Sequence, residues 1–206
     1  MADYEAPRYT VERSLSDDVE IRSYEPMLLA QVTVQGDRSG AGSEAFRILA
    51  GFIFGKNRIP EVDPAAGVSQ QEENDAENQP LSEQRRDAPG DSTKIAMTVP
   101  VTQVAEGADA WTVSFMMPAI YTEATLPVPD DTRIQIHRTA AYRAVALSFS
   151  GRHSDANFDN HQQRLLQLIE REGFDVDPDP VLAYYNGPFT LPFLRRNEVM
   201  FVLNDR

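Results

Sequence analysis

Apolar and polar positions alternate in two stretches of the chain that match each other without gaps. Residues 19–36 (VEIRSYEPMLLAQVTVQG) align on residues 134–151 (IQIHRTAAYRAVALSFSG), 115 positions later. Each reads as a short strand, a polar turn and a longer alternating strand that ends in glycine. In the second copy Tyr142, Ala144, Ala146 and Ser148 alternate with Val145, Leu147 and Phe149. A period of two predicts a sheet with one buried face. A helix is predicted after each copy. The first covers about residues 43–54, with Ser43 as N-cap and Gly55 as the stop. The second covers about 155–172, with Ser154 as N-cap and Gly173 as the stop.

Strands then resume in both halves. KIAMTVPVT (94–102) aligns with LAYYNGPFT (182–190) at an offset of 88, and VSFM (113–116) aligns with VMFV (199–202) at 86. The pattern is β-β-α-β-β, twice, which predicts an α+β core of about eight strands and two helices. The offset falls by 27 after the first helix, so the first half carries an insertion at about 59–93. That interval includes GVSQQEENDAENQPLSEQRRDAPGDS, which has too little apolar area to offset its ordering entropy. It is expected to be a disordered surface insertion in an otherwise single domain spanning 1–206.

Composition narrows the function classes. The net charge of −13 argues against nucleic acid and anionic membrane as principal partners, because phosphate binding needs clustered Lys and Arg. No apolar run approaches 18 residues, and the opening MADYEAPRYT lacks the basic and apolar regions of a secretory signal. The absence of cysteine rules out disulfides and thiolate chemistry and fits a cytoplasmic location. Gly-rich phosphate loops, H-E-x-x-H and G-x-S-x-G are all missing, so no catalytic residue is assigned and the chain is read as a non-enzyme. No metal-ligand spacing is recognisable either.

The first helix is unusual. Phe46, Leu49, Ala50, Ile53 and Phe54 form one apolar stripe, an ordinary core face. A second stripe, Ala45, Ile48 and Phe52, lies beside it, so the helix is apolar nearly all round. Something must cover Ile48 and Phe52: a ligand, the insertion or another subunit. The second helix is plainly amphipathic, with Phe158, His161, Leu165, Leu168 and Ile169 on one side.

VEIRSYEP, FIFGKN, KIAMTVPVT, VSFMMP, AYYNGPF and RRNEVMFVL together resemble the SOUL/heme-binding-protein family over residues 9–203, the insertion excepted. A more remote likeness is to bacterial effector-binding domains of the same duplicated design. The family resemblance implies duplicated halves forming a distorted antiparallel β-barrel flanked by two helices. It also implies noncovalent binding of heme or another porphyrin in a cleft beside the first helix, for buffering or transport. An effector-binding or interaction module without heme is the alternative, and release of iron from heme a third. The implied apolar contacts are Phe46, Ile48, Leu49 and Phe52. Cations for the propionates would be Arg47, Lys56, Arg195 and Arg196, since the guanidinium fork suits carboxylate. Arg195 and Arg196 could equally just neutralise nearby acids. Some relatives place a histidine, a proposed iron ligand, where this chain has Ser23, a poor iron ligand. His137, His153 and His161 read as solvent or boundary residues, and Met97, Met116, Met117 and Met200 as core.

Overall fold

Residues 4–60, 90–187 and 189–204 are described by the structure, a computed structural model. The first half contributes β2 (Val19–Tyr24), β3 (Leu28–Gln35), α1 (Arg38–Ile53), β5 (Val101–Ala105) and β6 (Ala110–Met116), preceded by β1 (Tyr9–Ser16). The second contributes β8 (Gln135–Arg138), β9 (Tyr142–Phe149), α2 (Asp155–Glu172), β10 (Val181–Tyr184) and β11 (Asn197–Val202). Two short strands, β4 (Asn57–Arg58) and β7 (Val128–Pro129), pair on their own. The other nine strands form one curled antiparallel sheet in the order β1-β2-β9-β11-β10-β5-β6-β3-β8. The architecture is α+β, a half-barrel of duplicated halves with two helices.

The order reads the same from β2 and from β8, so a pseudo-two-fold axis relates the halves. Each half lends its first strand to the other: β2 pairs with β9, and β8 with β3. The predicted offsets reproduce the registers. The pair Leu29↔Met116 maps onto Ala144↔Val202 when 115 and 86 are applied. One part of the repeat is displaced. Gln103↔Val113 corresponds to Leu182↔Val199, and Leu182 lies 79 residues after Gln103 rather than 88. Matching Pro100 to Pro188 misled the alignment, because residues 94–97 are not strand; β5 begins only at Val101. In their place the chain crosses the end of α1. Ile95 N donates to Ile53 O (2.8 Å), and Thr98 Oγ1 to Met116 O (2.6 Å).

α2 occupies the predicted residues and ends on Gly173 at φ 72°. α1 starts five residues earlier than predicted. Its N-cap is Asp37, whose carboxylate accepts from Gly40 N at 2.9 Å. The glycines and serines of 39–43 suggest a loop on propensity alone. Burial of Ala41 and Ala45 against the sheet overrides that preference.

The helix presents a different face to the core than its periodicity suggests. Leu49, Phe52 and Ile53 are buried, whereas Phe46 and Phe54 are 42% and 60% exposed. Phe52 and Ile48 pack in one cluster with Leu126 and Ile134, from the connection between β6 and β8. The cover for that second stripe is thus this same connection, not one of the three sources the sequence suggested. Asn57 closes the helix end: its Nδ2 donates to Phe52 O (2.6 Å) and Thr93 O (2.9 Å). Ile59 N donates to Asp91 O at 2.9 Å, so the segment between them leaves and returns at adjacent points. The expected insertion at 59–93 is therefore pinned at both ends; its interior, 61–89, lies outside the described residues.

Both helices cover the same side of the sheet, α1 over Ala30 and Val32, α2 over Val145 and Leu147. The second half is buried on its other side as well, contrary to the one-faced reading of β9. There Ala144, Ala146 and Ala183 leave room for a charged cluster around Glu198, which is fully buried. Glu198 accepts from Arg22 (2.9 Å), Ser148 (2.8 Å), Tyr185 (2.9 Å) and Arg196 (2.7 Å). Arg22 lies over the ring of Tyr9, and Arg196 over that of Tyr185. Burial alone would raise the Glu198 pKa; hydrogen bonds and charge from Arg22, then Arg196, hold it below the usual glutamate range. A depressed carboxyl contributes stability that is complete above its unfolded pKa and lost as pH falls through the folded one. Glu198→Ala is expected to cost about 3–5 kcal/mol in urea unfolding, because the buried Arg22 keeps only the partly exposed Glu20 as a carboxylate partner. The variant should also lose much of the wild-type stability drop on acidification below the usual glutamate range. A cost under about 1 kcal/mol would show that water reaches the cluster.

Candidate functional site

A cavity of about 520 Å³ lies at the seam between the halves. One wall is the amino-terminal half of α1, where Arg38, Ser39, Gly42, Ser43 and Phe46 share one helix face. Facing it are Met97, Val99, Val101 and Gln103 on the way into and along β5, and residues 184–187 at the end of β10. His153 and Asp155 close the α2 side, and Tyr4 the amino-terminal side. Small-molecule sites occupy roughly 300–1,000 Å³, are mainly apolar and hold a few fixed polar groups. This cavity matches on each count.

Its polar groups are held in place. Gln103 is 4% exposed and sits directly opposite Leu182, on the pseudo-axis. Its Nε2 donates to Arg38 O (2.8 Å), and its Oε1 accepts from the Tyr184 hydroxyl (3.3 Å). Burial pushes the Tyr184 phenol up to about 12, so it acts as a hydrogen-bond donor at neutral pH. Arg38 Nε donates to Asp155 at 2.7 Å, and its Nη1 is 3.6 Å from Asp159, which ties the start of α1 to α2. His153 stands edge-on to Tyr184, with ring centroids 5.1 Å apart. Burial, reinforced by the charge of Arg195, lowers its pKa. Its Nε2 and Asn197 Oδ1 are both buried without a hydrogen-bond partner.

The sequence-predicted contacts do not converge on this cavity. Phe46 lines it. Arg47, Ile48, Phe52 and Lys56 border a separate hollow of about 240 Å³, together with Arg133 and Ile134. Leu49 is wholly inside the core. Arg195 and Arg196 end the connection from β10 to β11; Arg195 donates to Thr190 O (2.7 Å), and Arg196 is engaged with Glu198. His153, read from sequence as a solvent or boundary residue, borders the main cavity instead. Gly42, Gln103 and Tyr184 escaped sequence reasoning. The available signal was Ser39, Gly42, Ser43 and Phe46 at helical spacing, hidden by placing the helix start at Ser43.

A sequence profile of the SOUL heme-binding proteins matches residues 4–81 and 83–202. The chain belongs to the SOUL heme-binding protein family. No curated protein sequence matches it. Among solved structures, the EcmrR C-terminal domain superposes with a TM-score of 0.58 at 11% identity, covering 96% of this chain and 99% of that domain. An uncharacterized conserved protein from Listeria innocua gives 0.56 at 13% identity, over 98% and 94%. A hydrolase from Listeria innocua gives 0.54 at 16% identity, over 93% and 94%. At such identities these likenesses establish the shared fold alone. Among the described residues of this SOUL protein, no helix is long and apolar enough to cross a membrane. Nor, among them, does any group of three or more His, Asp or Glu stand ready to hold a metal ion.

Gly42 offers a direct check on the wall of the cavity. A Cβ there would meet only the amide end of Gln103, at 3.4 Å. Gly42→Ala is therefore expected to raise stability by about 0.5–1 kcal/mol through helix propensity. An unchanged or lower thermal midpoint would mean that the Gln103 amide cannot shift from its two hydrogen bonds.

Proposed function

We propose that this SOUL protein binds a tetrapyrrole, heme or iron-free porphyrin, noncovalently in the 520 Å³ cavity, as a cytoplasmic buffer or carrier. The observation that carries this reading is an apolar-walled cavity of ligand size beside the first helix, in a chain of a heme-binding family. The smaller hollow at Arg47, Ile48 and Lys56 falls below the usual size of such sites, so Phe46 is the retained contact among those read from sequence. Apolar walls take the macrocycle, while Gln103 and the Tyr184 phenol orient its polar edge. Iron ligation is not required. Ser23 sits on β2, opposite Thr10 and Arg143, and β2 adds no wall to the cavity. The Nε2 of His153 is enclosed. When bound, heme would supply its own redox-active iron; the protein's part is apolar contact, orientation and exclusion of water.

An optical titration with hemin and with protoporphyrin IX tests this. One-to-one saturation is expected with both, since the contacts are to the macrocycle. Phe46→Asp, at a half-exposed position, should weaken both by at least about tenfold, the 1.4 kcal/mol that one lost apolar contact represents. The exposed pair Arg47→Glu with Lys56→Glu should change affinity by less than about twofold on the same scale. The reverse ranking would move the site to the smaller hollow, and no spectral change with either ligand would end the tetrapyrrole reading.

A further inference from the structure

We propose that residues 189–196, which lead into β11, dock this protein onto an anionic lipid bilayer. Phe189, Leu191, Phe193 and Leu194 lie within six residues and are 99%, 56%, 70% and 61% exposed. Other large apolar side chains exposed among the described residues are scattered along the chain. Residues 189–196 are tied down at three points. Arg195 Nε donates to Thr190 O (2.7 Å), Arg196 N to Asn186 Oδ1 (2.7 Å), and Gly151 N to Pro192 O (2.9 Å). Ordered contacts thus hold apolar side chains outward, against the hydrophobic driving force. A wedge of exposed apolar side chains can enter a fluid apolar phase without a preformed pocket.

Local charge selects the lipid. From Tyr184 to Asn204 the one acid is Glu198, and it is enclosed between Arg22 and Arg196. Arg195 and Arg196 follow the wedge directly, and Arg152 adjoins Gly151, which bonds to it. The chain carries −13 overall, but charges farther than about 8 Å are screened at physiological ionic strength. The bilayer therefore meets an apolar tip flanked by Arg195 and Arg152, the charge of Arg196 being balanced by Glu198. Such a pairing of apolar and basic groups holds peripheral proteins at anionic headgroups. Tyr185, Asn186 and Gly187 join this wedge to the main cavity, so docking would bring the cavity mouth to the membrane surface. The docking itself does not depend on what the cavity binds.

Flotation of the full chain with vesicles, without tetrapyrrole and at physiological salt, tests the proposal. Binding is expected to phosphatidylcholine vesicles containing about a quarter phosphatidylserine, and to be weaker with phosphatidylcholine alone. Phe189→Asp with Phe193→Asp should lower the partition coefficient by at least about tenfold, each ring losing its burial in the bilayer. Both positions are exposed, so the thermal midpoint should stay unchanged and confirm an intact fold. Absence of vesicle binding, or binding undiminished in the double variant, overturns the proposal. So does concentration-dependent self-association in sedimentation velocity that the double variant abolishes while vesicles remain unbound. Hemin titration of the same variant keeps this result separate from the tetrapyrrole reading.

Discussion

Glu198 is a carboxylate with no exposed surface, and much of the second half-sheet is arranged to make that tolerable. Removing a carboxylate from water costs several kcal/mol unless partners replace its solvent shell. Here the partners are Arg22 on β2, Ser148 on β9, Tyr185 just beyond β10 and Arg196 just before β11. Arg22 belongs to the first half, so the interaction clamps the lent strand onto its host. Ala144 and Ala146, lying on β9 between β2 and β11, give the guanidinium room to pass. A slip of one residue in either pairing would turn Arg22 or Glu198 to the other face and leave its partner stranded. The ion pair therefore specifies register, and through register the pseudo-axis.

That axis passes through the pair Gln103 and Leu182, and the large cavity opens beside it. Symmetry alone would provide two such cavities. Counted from the N-caps Asp37 and Ser154, Gly42 corresponds to Asp159 and Phe46 to Gln163. The first helix thus offers a shallow apolar face where the second offers carboxylates. Those carboxylates have a use: Asp155 and Asp159 hold Arg38, which fixes the distance between the helices at the cavity. Duplication supplied the frame, and divergence of the two helices confined the ligand-sized space to one side of it.

Family and fold support the functional reading to different depths. The SOUL profile runs through both halves, so the chain's membership rests on motifs spread along the whole fold. The likeness to EcmrR and to the Listeria innocua proteins shows how widely the duplicated half-barrel is used, and it says nothing of their ligands here. The site must be argued from its own geometry. On that basis the proposed site stays beside the first helix, on the face of Gly42 and Phe46 rather than that of Ile48 and Phe52.

By itself the sequence determined the duplicated β-β-α-β-β pattern, the second helix to the residue, and the offsets that relate the β3–β6 pair to the β9–β11 pair. These rest on local signals: alternation, caps and a gapless internal match. It also marked the first helix as too apolar for a surface. What it could not place was which apolar face meets the core, because both stripes satisfy the helical period equally well. Only the tertiary structure decided that, by laying Leu126 and Ile134 over Phe52 and Ile48. The same holds for Glu198 and Arg22, which are 176 residues apart and unremarkable in sequence. Their pairing exists only because strand exchange brings β2 and β11 to either side of β9. The cavity, likewise, is a property of the seam between halves, and no single segment of the chain encodes it.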